Sequence, residues 1–347
     1  MRKIAKALTV LLSLVLVLGL FSGCGDDRVT IRVYNWGEYI DEDMIDLFEE
    51  ETGIRVDYTT FNDNESMYAK VKNAGDESYD VIVPSDYMIK KMIEEDMLAE
   101  LNFENIPNFK NVDPIYVNPS YDPESKYSVP YLAGLVGILY NTDETGGEEI
   151  TSWRALFDEK YAGKVCMLDS MRDTLGLTLK MLGYSMNDTD PAHIEEAKQL
   201  LIAQKPNVLA YGTDELTEKV MSGTAAMSMV YPGEGIGAVA EQPENLKFVI
   251  PTEGSNLAVD SFVVPKNSAH KAEAEAFINF MLRPDVAAAN AIASAYGTTN
   301  AAAKAQLPPE VANDPCLYPS EEVMTKCEEF TSDNEPYVEA WNEIKAK

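Results

Sequence analysis

The chain is poor in the residues on which most catalytic and metal chemistry depends. Of its 347 residues, two are histidine and four are cysteine. His193, in Asp190-Pro191-Ala192-His193, and His270, in Asn267-Ser268-Ala269-His270, both read as exposed residues at helix starts rather than as ligands or bases. No CxxC, HExxH or GxSxG pattern occurs, so neither a zinc site nor a nucleophile elbow is signalled, and no metal or cofactor is expected. Positive charge is also scarce: 28 Lys and Arg stand against 58 Asp and Glu, for a net charge of −30. A surface of that sign repels nucleic acid and anionic lipid and draws in cations. After residue 23 no apolar run approaches the roughly 20 residues that a membrane span needs. Low-complexity segments and short repeats are missing too, and an apolar content of 46% excludes a disordered chain.

What is present begins with a leader. Arg2, Lys3 and Lys6 form a basic start, 8–20 is an apolar run, and the small residues Ser22 and Gly23 precede Cys24. The arrangement is similar to the lipobox of bacterial lipoproteins, with Phe21 at the usual Leu position. It implies a signal peptide over 1–23, a lipid on Cys24 that anchors the chain to the membrane outside the cytoplasm, and a tether over 24–30. Such a location permits a disulfide, and Cys316 and Cys327 are the one close pair.

The richest stretch follows: Ile31-Arg32-Val33-Tyr34-Asn35-Trp36-Gly37-Glu38-Tyr39-Ile40. A short strand runs into a turn carrying an indole, a carboxylate and a phenol, and a helix starts at Asp41. In open α/β sheets, ligands bind beyond the carboxyl ends of strands. Aromatic faces with carboxylates suit an organic cation, through cation–π attraction and charge neutralisation. The pattern returns at 79–84, a continuous apolar strand that ends in Ser85-Asp86-Tyr87. Strand-like and helix-like segments alternate along the rest of the chain. Two extended apolar segments, 131–141 and 259–265, bracket a middle region with the same alternation. The reading is an α/β chain of two lobes joined by two extended hinge crossings. Lobe 1 is expected at 31–135 and 260–305, and lobe 2 at 136–259 and 306–347.

These residues resemble the spermidine/putrescine-binding proteins of polyamine ABC transporters, which have the type II periplasmic-binding-protein fold. The likeness is carried by Tyr34-Asn35-Trp36-Gly37-Glu38-Tyr39, Tyr79-Asp80-Val81-Ile82-Val83-Pro84-Ser85, Tyr127-Ser128-Val129-Pro130-Tyr131 and Thr151-Ser152-Trp153. It continues in Phe280-Met281-Leu282-Arg283-Pro284-Asp285-Val286-Ala287 and Pro309-Glu310-Val311-Ala312-Asn313-Asp314. It implies a monomeric, non-enzymatic transport protein that loads a polyamine between its lobes and presents it to a permease. It also implies that Trp36 and Tyr39 line the ligand channel, that Glu38 lies beside an ammonium group, and that Ser85 and Tyr87 are contacts. Asp173 matches the family's second carboxylate, while Ser170 stands where its first is usually an Asp, with the shared Asp169 beside it. Tyr231 replaces a Trp wall, Asp260 keeps the central Asp, Ala258 replaces a neighbouring Trp, Tyr296 matches a further wall, and Thr213 a weaker polar contact. Asp86 is a candidate by its place in the second turn. Asp80, Trp153 and the Pro284 motif read as structural. Glu38, Asp173 and Asp260 would supply three carboxylates for the three ammoniums of spermidine. Two alternatives remain: the same fold binding another small cation or an amine-bearing acid, for which Arg172 is the residue to watch, and, remotely, a lipid-anchored hydrolase.

Overall fold

The computed structural model describes residues 28–75, 79–213, 215–330 and 335–347; the leader and Cys24 lie outside them. Among the described residues the strands form two sheets. The first orders β11 (Gly297–Thr298), β4 (Ser128–Leu135), β10 (Leu257–Val263), β3 (Val81–Ile82), β1 (Thr30–Trp36) and β2 (Arg55–Phe61). The second orders β7 (Val208–Gly212), β6 (Val165–Leu168), β8 (Met227–Val230), β5 (Gly137–Asn141) and β9 (Leu246–Val249). In each sheet three strands are parallel, β2–β1–β3 and β7–β6–β8. Antiparallel strands complete both sheets. The α/β two-lobe architecture read from the alternation is the one observed.

Local chemistry explains the elements. Asp41 accepts a hydrogen bond from the Asp43 amide and opens the helix Glu42–Thr52, which stops at Gly53 in the left-handed conformation, φ 72°. Its buried Phe48 packs edge-on against Phe277 and Phe280 of the helix Lys271–Met281. Ile31, Val33, Val81 and Phe262 join them in the core of the first sheet. Trp153, Met167, Leu175 and Leu179 belong to a separate core around the second sheet. Asp80 is structural: its oxygens accept from the Arg32 amide (2.9 Å) and the Ser268 hydroxyl (2.6 Å).

Two strand pairs carry the chain between lobes. β4 and β5 are separated by Val136 alone yet lie in different sheets, and 250–256 leads from β9 to β10. The Ser255 hydroxyl donates to the Val136 carbonyl at 2.5 Å and ties the crossings together. The 325–330 segment runs beside them, with Leu257 N on Glu328 O (2.9 Å) and Glu328 N on Ser255 O (3.1 Å). The expected division differs from the observed packing at two places: Leu257, Ala258 and Val259 begin β10 of the first sheet, although 136–259 was expected in lobe 2, and the second lies after β11. Leu307 is buried in the first core, and Val311, Ala312 and Tyr318 pack on it. These residues are therefore part of lobe 1, although 306–347 was expected in lobe 2; an apolar patch has to follow the core that covers it. The helix Glu335–Ala346 does pack in the second core, through Tyr337 and Ile344. Cys166, Cys316 and Cys327 are free thiols.

Trp153 is fully buried, and its indole donates to the Gly254 carbonyl of the second crossing at 2.8 Å. Trp153→Ala should cost about 3–5 kcal/mol in urea unfolding followed by circular dichroism. An unchanged midpoint would show that this ring does not anchor the crossing to the second core.

Candidate functional site

The carboxyl ends of parallel strands in both lobes meet at the crossings. Trp36 ends β1 and Tyr39 lies in the turn after it. Ser85 caps the helix Asp86–Glu94 just beyond β3. Ser170 caps the helix Met171–Leu182 just beyond β6, and Tyr231 caps the helix Pro232–Glu241 after β8. Asp260 sits on β10 at a register shift against β4, a device that re-aims a side chain. Its backbone bridges Ser85.

Asp260 is 8% exposed. The Tyr39 hydroxyl donates to its Oδ2 at 2.7 Å, while Oδ1 is buried and has no hydrogen-bond partner. Burial pushes its carboxyl up to about 6, against the pull of the Ser85 and Tyr39 hydroxyls. Tyr39 is itself raised, first by burial and then by the Asp260 charge. Its ring meets those of Tyr296 (4.8 Å) and Tyr131 (5.8 Å) edge-on. Asp86 is 3% exposed. Its Oδ1 accepts from the Tyr87 amide at 2.6 Å and its Oδ2 has no partner. Burial raises it well above the ordinary carboxylate range, and the charges of Asp260 and Glu329 add to the rise.

Asp173 is held differently. Its Oδ2 accepts from Ser170 Oγ (2.7 Å) and the Tyr231 hydroxyl (3.0 Å), and its Oδ1 from Asn256 Nδ2 (2.8 Å). Ser170, a departure from the resembled pattern, is thus a neutral donor to the neighbouring carboxylate. Among the described residues no Lys, Arg or His pairs with Asp86, Asp173 or Asp260. Among the described residues, three buried carboxylates therefore stand without an internal cation, Asp86 and Asp260 as neighbours and Asp173 held to Asn256 before β10. Trp36 packs on Phe61, ring centroids 4.4 Å apart, with a buried indole N–H that has no partner.

Four expected residues are placed otherwise. Glu38 is exposed on the turn at φ 50°, outside the buried cluster, because the left-handed turn leaves it on the solvent side. Asp169 is exposed and both its oxygens accept from Lys345 Nζ at 2.7 Å, so its charge is already taken. Thr213 is exposed after edge strand β7. Tyr87 is at the rim: the Arg172 guanidinium lies 3.6 Å over its ring and donates to Glu65 Oε1 at 2.7 Å. Arg172 is on the second lobe and Glu65 and Tyr87 on the first, so this contact bridges the mouth of the cleft. The sequence reading missed Asn256, Tyr121 and Glu329. Tyr121 shares a 3.1 Å hydrogen bond with Ser261, and Glu329 accepts from Ser120 at 2.7 Å. All three sit in loops or at a strand start, where periodicity gives no signal.

Comparison with known proteins places this geometry. Residues 43–319 match the family model described as bacterial extracellular solute-binding protein. The spermidine/putrescine-binding periplasmic protein of Salmonella typhimurium is 40% identical over 314 residues, covering 90% of each chain. The crystal structure of a spermidine/putrescine ABC transporter substrate-binding protein from Streptococcus pneumoniae superposes with a TM-score of 0.84 at 38% identity, over 92% of this chain and 98% of that one. A lipoprotein of Treponema pallidum superposes with a TM-score of 0.82 at 27% identity, over 92% of this chain and all of that one.

The raised carboxyl of Asp260 has a signed consequence. Its folded value lies above that of the unfolded chain, so its contribution to stability is fully present below about pH 4 and is lost as pH rises through about 6. A shift of about two pH units corresponds to about 3 kcal/mol. Without ligand, Asp260→Asn should gain on wild type by up to that amount between pH 4 and pH 7 in urea titrations. A gap that is constant with pH would contradict the burial argument.

Proposed function

The chain belongs to the bacterial extracellular solute-binding proteins, and from that premise we propose that it captures a polyamine, spermidine or putrescine, between its lobes and delivers it to an ABC-transporter permease. The observation that carries this reading is the set of buried carboxylates, Asp86, Asp173 and Asp260, among aromatic rings and with no Lys, Arg or His partner among the described residues. A polyamine is a string of methylenes between ammonium groups. Its methylenes suit the faces of Trp36, Tyr39, Tyr231 and Tyr296, and each ammonium brings up to three donors to oxygens that lack them. In a closed cleft from which water is excluded, each charge pair strengthens. The Arg172–Glu65 pair and the Arg172–Tyr87 stack hold the lobes together at the rim, and the joint surface that closure creates is what a permease can read. Ser85 positions Asp260, and Ser170 positions Asp173.

The alternative of an amine-bearing acid needs a guanidinium aimed at the ligand. Arg172 is instead engaged with Glu65 and Tyr87, which favours the plain polyamine. Against the hydrolase alternative stands His193, which pairs with Asp188 at 2.9 Å and stacks on Tyr184. We further infer, from the leader pattern, that the protein lies outside the cytoplasm, held to the membrane by lipid on Cys24, and, from the family resemblance, that it is a monomer.

Two measurements test these readings. In titration calorimetry, Asp260→Asn should weaken polyamine binding by about 2–5 kcal/mol, the cost of removing one partner of a buried charge pair. Tyr231→Ala and Tyr296→Ala should each cost roughly 0.5–2 kcal/mol. If Asp260→Asn binds spermidine and putrescine as wild type does, the site is wrong. For the anchor, Cys24→Ser should leave the leader uncleaved or release the protein from membranes; a variant still processed and membrane-bound would refute lipidation at Cys24.

A further inference from the structure

Most buried carboxylates in this chain are saturated with donors. Asp122 receives the Lys126 (3.0 Å), Tyr127 (2.8 Å) and Ser128 (2.9 Å) amides and the Ser128 hydroxyl (2.9 Å). Asp80 and Asp173 have donors on both oxygens. Asp86 and Asp260 are different: each has one oxygen bonded, to Tyr87 N and Tyr39 OH, and one buried oxygen with no hydrogen bond of ordinary geometry, although the Val259 amide and the Ser85 hydroxyl lie near enough to lower the two carboxyls against burial. The two bare oxygens belong to neighbouring segments, because Ser85 bridges Asp260 and Ser261 N donates to Pro84 O at 3.2 Å. An unpaired buried carboxylate is costly, and two side by side are costlier, unless a donor from outside completes them.

We propose that Asp86 and Asp260 are two adjacent ammonium sites, so that with Asp173 the cleft offers one carboxylate to each charge of a triamine, and that Asp86 thereby makes the cleft prefer a triamine to a diamine. The inference rests on the polyamine reading above and assigns the selectivity within it. The argument is one of charge balance. With Asp86, Asp173 and Asp260 ionised, the cleft holds three negative charges, which a triamine cancels. A diamine leaves one carboxylate uncompensated, and that carboxylate keeps its proton. The groups around Asp86 reinforce this. Asp260 on β10 and Glu329 on the 325–330 segment place negative charge beside Asp86, burial keeps the Tyr121 phenol protonated, and the Tyr87 amide donates to Asp86. Burial, with the Asp260 and Glu329 charges added, favours a proton on the pair in the empty site. On triamine binding that proton leaves to solvent and the ammonium takes its place.

Calorimetry at pH 6.5 in phosphate and in Tris, whose ionisation enthalpies differ, counts the protons released on binding. Wild type should release about one more proton with spermidine than with putrescine and should bind spermidine at least tenfold tighter. Asp86→Asn should lose the extra proton and about tenfold of that preference. Equal proton release for the two ligands in wild type overturns the proposal without any variant, as does an undiminished preference in a folded Asp86→Asn. If wild type binds neither ligand, the polyamine reading itself fails; if it binds both with equal proton counts, only the Asp86 assignment does.

Discussion

The interaction on which the rest depends is the unfinished solvation of carboxylates between two lobes. Asp260 and Asp86 are shielded from water yet short of donors, and Asp173 is held by neutral donors alone. Hydroxyls and amides orient these carboxylates without discharging them. Had the chain placed a Lys or Arg there, the cleft would be a stable internal ion pair and nothing more. Leaving the cation out makes the empty protein less stable at neutral pH than it could be and gives an entering ammonium the role of missing partner.

The three carboxylates reach the site from different parts of the backbone. Asp260 lies on a crossing strand, Asp86 starts a helix of the first lobe, and Asp173 starts a helix of the second. Gly134, at the first crossing, shows how tightly the lobes meet. A Cβ there would fall 2.6 Å from Pro232 of the second lobe and 2.9 Å from the Tyr296 ring of the first. The Tyr296 hydroxyl reaches the Gly233 backbone, and Arg172 closes the far rim over Tyr87. Residues around the carboxylates thus also make contacts between the lobes.

Much of this was legible in the chain. Alternating strand and helix patterns, Ser, Asp and Gly caps, and two extended apolar crossings specify two α/β lobes through local chemistry alone. The turn after β1 and the turn after β3 announced an aromatic, anionic cleft, because strand ends are where ligands bind in such sheets. What stayed hidden depends on side-chain direction within turns. Glu38 and Tyr39 are adjacent, yet a left-handed φ leaves one in solvent and the other against Asp260. Asp169 and Ser170 are adjacent, yet one meets Lys345 and the other Asp173. Asn256, Tyr121 and Glu329 arrive from segments with no periodicity, and the packing of Leu307 into the first core follows from chain path rather than composition.

The central claim is that a buried carboxylate waits for a cation supplied by the ligand. A carbon-13 NMR titration of the Asp260 carboxyl, in selectively labelled protein with and without saturating spermidine, measures this at the atom concerned. Without ligand the resonance should titrate with a midpoint near 6, and with spermidine bound the midpoint should fall below 4, the value of a carboxylate beside a fixed positive charge. A midpoint that spermidine leaves unmoved would mean that no ammonium reaches Asp260, and the account of the cleft would be wrong.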